Sequence, residues 1–369
     1  MAGMTGRIVL FGATGYTGRL AAQALVARGA TPVLAARSRE RVEALAAQLG
    51  GLPTAVADVA RPQTLRALLE PGDVLVSTVG PFVRWGRAAL HAALDAGAHY
   101  IDSTGEPPFI RAVFEDHGAA AQAAGVGLLT AFGYDYVPGN LAGALALRAA
   151  GERAVSVDVG YFVGGGAQPS GGTRASAVGM VAEPAYAFAG GRLVSERTAR
   201  HVQTFDGRPA VSVGGTEQFA LPRVHPGLRE ARVWLGWFGS ASRPLQAISA
   251  ATSLATRVPG VRSAIQSTAG RLVKGSTGGP DAATRAKTRS FIVAIASDAH
   301  GAPLATVRLE GDNPYDFTGA MLAWGALTAA GGGLRGTGAL GPVDAFGLEA
   351  LEAGVAGAGI CAQCPENAH

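Results

Sequence analysis

A chain of 369 residues is long for one hydrophobic core, so two domains are expected. Its residues are 48% hydrophobic and 16% charged, with a formal net charge of +4, which excludes a disordered chain. The basic residues are scattered singly rather than in runs, which excludes a nucleic-acid or membrane-surface patch.

In chain order, Arg7–Phe11 reads as a buried strand and Tyr16–Ala27 as a helix, with Gly29 at its stop. Strands follow at Pro32–Ala36, Ala55–Val59, Asp73–Val79, His99–Asp102 and Gly127–Ala131. Helices are expected at Glu40–Leu49, Pro62–Leu69, Arg87–Ala96 and Pro108–Ala124. Strands and helices alternating at this length mean βαβ units on a parallel sheet, and right-handed crossovers make it a doubly wound Rossmann-type domain. Near residue 140 the rhythm changes. Ala154–Val163 alternates as an open-faced strand, a Gly/Ser/Pro run fills 164–173, and strand-like stretches come at Arg208–Val213, Arg232–Phe238, Ser290–Ser297 and Leu304–Glu310. These predict an inserted α+β domain built on an antiparallel sheet, with Gly239–Gly279 as a helical excursion or a flap. Helices at Thr318–Ala330 and Asp344–Ala356 are expected to return to the first domain.

No apolar stretch reaches the ~18 residues of a membrane helix. The first apolar run leads straight into glycines rather than a cleavable leader, so a cytoplasmic protein is expected. The only cysteines, Cys361 and Cys364, read as incidental thiols in a frayed tail. His91, His99 and His117 fall on separate elements, and no metal site is expected.

The stretch "FGATGYTG" sets Gly12, Gly15 and Gly18 between a strand and a helix. A turn there must reverse direction, let the backbone approach a pyrophosphate and let the helix pack on the sheet; a Cβ obstructs each requirement. Free N–H groups and the helix dipole then hold phosphate. Ala13, Thr14, Tyr16 and Thr17 complete this expected cofactor turn. At the tip of the second strand, "LAARSRERV" places Arg37, Ser38, Arg39 and Arg41 where an NAD site would carry a carboxylate. A guanidinium pairs with a 2′-phosphate, so the expected cofactor is NADP(H), with Arg37, Ser38 and Arg41 among its contacts. Asp58 is expected beside the adenine, and Thr78, Val79, Gly80, Pro81 and Phe82 beside the nicotinamide ribose.

Hydride transfer also needs a proton donor near the acceptor atom. Tyr136, Tyr134 and Asp135 are the nearest candidates, because they follow the sixth strand at the carboxyl edge of the sheet. His99, Tyr100, Asp102 and Glu106 end or follow the fifth strand, with Glu106 read as a helix-start carboxylate. Arg174, after "SGGT", is a candidate for binding an anionic or polyhydroxylated substrate. A Tyr-x-x-x-Lys pair and a GxSxG elbow are both absent.

"GATGYTG", "STVGPFVRWG" (77–86), "HYIDSTGE" (99–106) and "GYDYVPGN" (133–140) come in an order that resembles the saccharopine-dehydrogenase-like oxidoreductases, in particular the trans-acting enoyl reductase branch. "GPDAATRAKT" (279–288) and "GDNPYDFTGAML" (311–322) agree with it. The resemblance implies a nicotinamide-binding Rossmann domain over 1–140, a substrate and dimerisation domain over 141–311, and returning helices over 312–369. It implies reduction of a C=C, ketone or imine in a small-molecule specialised-metabolite or lipid precursor. A homodimer is expected separately, because an exposed face of an antiparallel sheet often pairs. A saccharopine-type amino-acid dehydrogenase and a non-catalytic NADP(H) sensor are the alternatives. The relatives commonly read GFDSxPSD where this chain has "GYDYVPGN", so Tyr136 and Asn140 replace Ser and Asp.

Overall fold

The computed structural model describes residues 6–164, 183–255 and 278–362. Ser170–Thr173, Arg174, Cys364 and most of the Gly239–Gly279 stretch after residue 255 lie outside these. The chain divides into two compact units: Met1–Asp135 with Pro314–Ala358, and Tyr136–Asn313 with the chain from Gly359.

The first unit runs β1 (Ile8–Phe11), α1 (Tyr16–Ala27), β2 (Val33–Ala36), α2 (Arg39–Gln48), β3 (Thr54–Val56), α3 (Pro62–Arg66), β4 (Val74–Ser77), α4 (Phe82–Ala96), β5 (His99–Asp102), α5 (Pro107–Ala112), α6 (Gly118–Ala123) and β6 (Gly127–Leu129). Its seven-stranded sheet has the order β15-β6-β5-β4-β1-β2-β3, where β15 is the late strand Gly338–Ala339. Every pairing is parallel. β1 and β4 are buried along their whole length, as apolar runs covered on both faces must be. The strand order reverses between β1 and β4, the topological switch point where such sheets bind ligands beyond the carboxyl ends of their strands. Register places Phe11, Ser77 and Asp102 side by side at that edge.

The helix expected over 108–124 is interrupted by a π-helical turn, Val113–His117. Val113 within this turn and Ala121 beyond it are both fully buried.

The second unit opens with α7 (Val137–Ala150), where the sequence showed only a change of rhythm. This helix is buried almost all round, and therefore lacks the one-sided period that announces a helix. It packs on β7 (Ser156–Gly164), β13 (Arg289–Ser297) and β14 (Pro303–Gly311). Between β7 and β13 come β8 (Pro184–Ala189), β9 (Arg192–Arg197), β10 (Val202–Phe205), β11 (Arg208–Val213), α8 (Glu217–Val224), β12 (Glu230–Leu235), α9 (Ser242–Ala255) and α10 (Ala282–Lys287). The sheet runs β10-β11-β12-β7-β13-β14-β16, with the β8–β9 hairpin off this path and β16 at Ile360–Cys361. It is mixed, not wholly antiparallel: β12 pairs with β7 in parallel, joined by a connection long enough to cross over. Cys361 pairs with Glu310 in the β14–β16 ladder and is disulfide-bonded, which corrects the reading of a free thiol in a frayed tail.

α11 (Pro314–Ala330), α12 (Pro342–Phe346) and α13 (Leu348–Gly357) belong to the first unit. α11 packs along α1 so closely that a Cβ on Gly319 would stand 3.0 Å from Leu20. Among the described residues no helix is long and apolar enough to cross a membrane.

Candidate cofactor and proton-transfer site

The turn after β1 is built by close approach. Gly12 has φ +86°, and a Cβ there would lie 2.7 Å from Thr78 Oγ1 and 2.8 Å from Val79 Cγ2. A Cβ on Gly18 would lie 2.2 Å from the Gly12 carbonyl oxygen. Only glycine fits either position. Gly15 differs: its Cβ would meet nothing closer than the Gly12 carbonyl oxygen at 3.2 Å, so its missing side chain keeps open the space before α1. Gly15 is the N-cap residue just before α1, and no side chain caps that helix among the described residues. The turn is held by Gly12 N–H donating to Ala35 O (2.9 Å), Gly15 N–H to Gly12 O (2.9 Å) and Thr78 Oγ1 lying 3.2 Å from both Phe11 O and Gly12 O. Arg19, which the sequence reading passed over, donates Nε to Thr14 O at 3.3 Å. An uncapped helix start behind a glycine cradle fits a pyrophosphate.

Past β2, Arg37 and Arg41 are exposed and their side chains have no ion-pair partner among the described residues, whereas Arg39 pairs with Glu43 at 3.4 Å. Ser38 caps α2, its oxygen accepting Arg41 N–H at 3.3 Å, and its side chain is thereby committed to the helix. Asp58, past the end of β3, accepts Ala60 N–H at 3.0 Å. The loop from Thr78 leads through Gly80 and Pro81 into α4. Phe82 N–H donates to Glu106 Oε1 and Val83 N–H to Oε2, each at 2.9 Å. Glu106 is therefore a helix-start carboxylate for α4, reached across the fold, rather than for the adjacent α5.

The fifth strand separates its polar residues. His99 sits at the opposite, amino edge, its Nδ1 accepting Gly127 N–H at 3.0 Å, and burial lowers its pKa. Asp102, at the carboxyl edge, is fully enclosed. Its Oδ1 accepts Thr104 N–H and Ala131 N–H and its Oδ2 accepts the Thr130 hydroxyl, all at 2.9 Å. Burial raises its pKa to about 6, and those hydrogen bonds oppose the rise. Burial and the nearby Asp102 charge push the Tyr100 hydroxyl well above its ordinary range.

The three residues proposed from sequence as proton donors divide clearly. Tyr134 is 2% exposed, its N–H donating to Thr318 Oγ1 at 3.0 Å and its ring edge-on to Phe317. Tyr136 is 1% exposed and sits edge-on to Tyr161; its carbonyl accepts from the Tyr161 hydroxyl (3.1 Å) and Asn140 Nδ2 (2.9 Å). Asp135 is only partly enclosed as a residue, yet its Oδ1 is buried with no hydrogen-bond partner among the described residues. Burial alone raises its pKa to about 7. A carboxyl oxygen buried without a donor favours the protonated form, which can give up a proton near neutral pH. Among the described residues no cluster of His, Cys, Asp and Glu could hold a metal ion.

Residues 8–129 match the family described as the saccharopine dehydrogenase NADP binding domain. Over 140 residues, 36% of this chain, the sequence is 39% identical to a trans-acting enoyl reductase of Mycobacterium leprae and 40% identical to a putative trans-acting enoyl reductase of Mycobacterium tuberculosis. The match covers 34% and 33% of those proteins, so the chain spans about a third of the length of the curated relatives it matches. Saccharopine dehydrogenase (L-Glu forming) of Saccharomyces cerevisiae superposes over 94% of this chain and 96% of its own, with a TM-score of 0.54 at 14% identity, and so shares the fold. Residues 8–129 therefore form an NADP-binding domain of the saccharopine dehydrogenase kind, and NADP(H) is the cofactor this chain is built to take.

Proposed function

We propose that the chain is an NADPH-dependent reductase of a small molecule whose acceptor bond is C=C, C=O or C=N, with Asp135 as the proton donor. The enoyl C=C is the first class to test, because relatives similar in sequence carry that activity in their names. The observation that carries the reading is the buried, unpartnered Asp135 Oδ1 in the same unit as the glycine turn. NADPH, when bound, supplies the hydride. The chain's own residues do the rest. Gly12, Gly15, Gly18 and the start of α1 hold the pyrophosphate, Arg37 and Arg41 hold the 2′-phosphate, and Thr78 fixes the turn from behind. Asp135 Oδ1 carries the proton taken up by the α-carbon or heteroatom of the acceptor. Burial raises its pKa to about 7, so a share of the carboxyl is protonated near neutral pH. Tyr134 and Tyr136 flank it in the chain and are both buried.

Following NADPH absorbance with enoyl, keto and imine acceptors tests the reading. Oxidation with one class, lost in Asp135→Asn, supports it. Tight NADPH binding with no oxidation by any class favours a sensor instead. A homodimer belongs to the same proposal; it would use the sheet of the second unit, where Arg308 lies over the Phe291 ring at 4.2 Å. Sedimentation as a monomer would count against it.

A further inference from the structure

Asp102 spends its bonds on one segment. Of the three hydrogen bonds to its carboxylate, those from the Thr130 hydroxyl and Ala131 N–H come from the stretch after β6. Its main-chain carbonyl accepts a further N–H from the same stretch, that of Phe132, at 2.7 Å. The remaining carboxylate bond, from Thr104 N–H, shapes the loop after β5.

The clamped residue is unusual. Ala131 has φ +56°, in the left-handed region, which is unfavourable for a residue with a Cβ. A methyl side chain offers no hydrogen bond of its own to hold that conformation, and Ala131 is 1% exposed. The N–H bond to Asp102 supplies the hold. Two residues on, a Cβ at Gly133 would lie 2.7 Å from the Thr318 methyl, and Tyr134 N–H is fixed to Thr318 Oγ1. The backbone is thus gripped by Asp102 at Thr130, Ala131 and Phe132 and by α11 at Tyr134. Asp135 follows directly.

We propose that Asp102 is a positioning residue for Asp135: by holding Ala131 in the left-handed turn it fixes where the Asp135 carboxyl is presented. The proposal rests on the reading of Asp135 as proton donor. The influence is mechanical. Burial alone accounts for the Asp135 shift, with no contribution from the Asp102 charge. The groups that act on Asp102 itself are Ala131 N–H, Thr104 N–H, the Thr130 hydroxyl and Tyr100. Its rise stops at about 6, so at neutral pH it is the ionised acceptor this network requires.

Three variants test this, with two readouts. Asp102→Ala removes the acceptors. Asp102→Ala with Ala131→Gly removes them but frees the left-handed turn from its Cβ cost. Asp102→Asn keeps Oδ1 for the two N–H groups and can offer Nδ2 to the Thr130 hydroxyl oxygen. The readouts are steady-state kcat and NADPH KM, and the Asp135 titration midpoint by carboxyl NMR, assigned by difference from Asp135→Asn. Asp102→Ala is expected to lower kcat about 100-fold, as a displacement of ~1 Å does, with NADPH KM within about twofold. Its Asp135 midpoint is expected to fall toward the ordinary carboxylate range. The double variant is expected to regain at least about tenfold of that rate, since a glycine at 131 adopts the left-handed turn without the Asp102 hold. Asp102→Asn is expected to keep both kcat and midpoint close to the parent. An unmoved midpoint in Asp102→Ala, a double variant that recovers nothing, or an Asp102→Asn as impaired as the alanine variant each overturns the proposal. If Asp102→Ala does not fold, the asparagine variant and the double variant still decide. The NMR midpoint needs no turnover, so a parent protein that reduces nothing would sink the reductase reading while leaving the positioning result legible.

Discussion

Glu106 Oε1 accepts the main-chain N–H of Phe82 at 2.9 Å, from 24 residues further along the chain. Its second oxygen takes Val83 N–H. Pro81, which precedes α4, has no side-chain acceptor for these orphan donors, and a carboxylate at a helix start also suits the helix dipole. Glu106→Gln keeps one acceptor and turns an N–H₂ toward the other donor. With the site only 6% exposed, that costs about 1–3 kcal/mol. The loop Thr78–Phe82 is anchored by the same contact, so the variant should unfold several degrees lower and bind NADPH more weakly. Thermal unfolding with and without NADPH checks this; an unchanged midpoint and affinity would remove Glu106 from the account.

The three glycines of the turn should fail in different ways. Gly18→Ala puts a methyl 2.2 Å from a carbonyl oxygen, with only backbone to give way. It should lower stability by about 1–3 kcal/mol as an overpacked site does. Gly15→Ala meets that same carbonyl at 3.2 Å and otherwise projects into the space before α1. It should fold normally and lose at least about tenfold in NADPH affinity, or ~1.4 kcal/mol. Calorimetric titration alongside thermal unfolding separates the two. Equal NADPH affinity in parent and Gly15→Ala would mean that phosphate does not sit there.

Selectivity should follow the unpaired arginines. Arg37→Ala and Arg41→Ala should each weaken NADPH binding several-fold to about tenfold, because charge-assisted bonds to a phosphate are worth roughly 1.5–3 kcal/mol before solvent screening, and both residues are exposed. NADH binding should be unaffected. Arg39→Ala, which loses only an exposed pair with Glu43, should change neither. Competition titrations with both nucleotides test the set, and a loss of NADH affinity in Arg37→Ala would assign the residue to fold rather than to selectivity.

What the sequence showed and hid follows from the range of the forces involved. The span of α1, the limits of β5 at His99–Asp102 and those of β11 at Arg208–Val213 are local matters of periodicity and turn residues, and the structure has them as read. The glycine turn was legible because its requirements are steric and lie within seven residues. α7 was not, because burial on every side erases its period. Glu106 was read against the neighbouring prolines, while its partners lie across the fold at Phe82 and Val83. Among Tyr134, Asp135 and Tyr136, a phenol in place of a serine stands out in a sequence. Burial of one carboxylate oxygen without a donor does not.

The last expectation concerns pH. Burial holds the Asp135 carboxyl up to about 7, against 3.8 for a free one, so the neutral acid predominates below pH 7 and is lost above it. As proton donor it should give a kcat that is level below about pH 6.5 and falls close to tenfold per pH unit above the folded-state value. Asp135→Asn should be slower by about 10²–10⁴-fold and lack that limb. Stability should move with the same sign. The folded state binds this proton more tightly than the unfolded chain, so the contribution is fully present below the unfolded value near 4 and is lost as pH rises through about 7. Asparagine cannot ionise. The variant should therefore match the parent in thermal midpoint near pH 4 and exceed it at pH 8. A parent whose kcat rises through pH 7, or a variant less stable than the parent at pH 8, would show the carboxyl to be charged and otherwise paired in the folded protein.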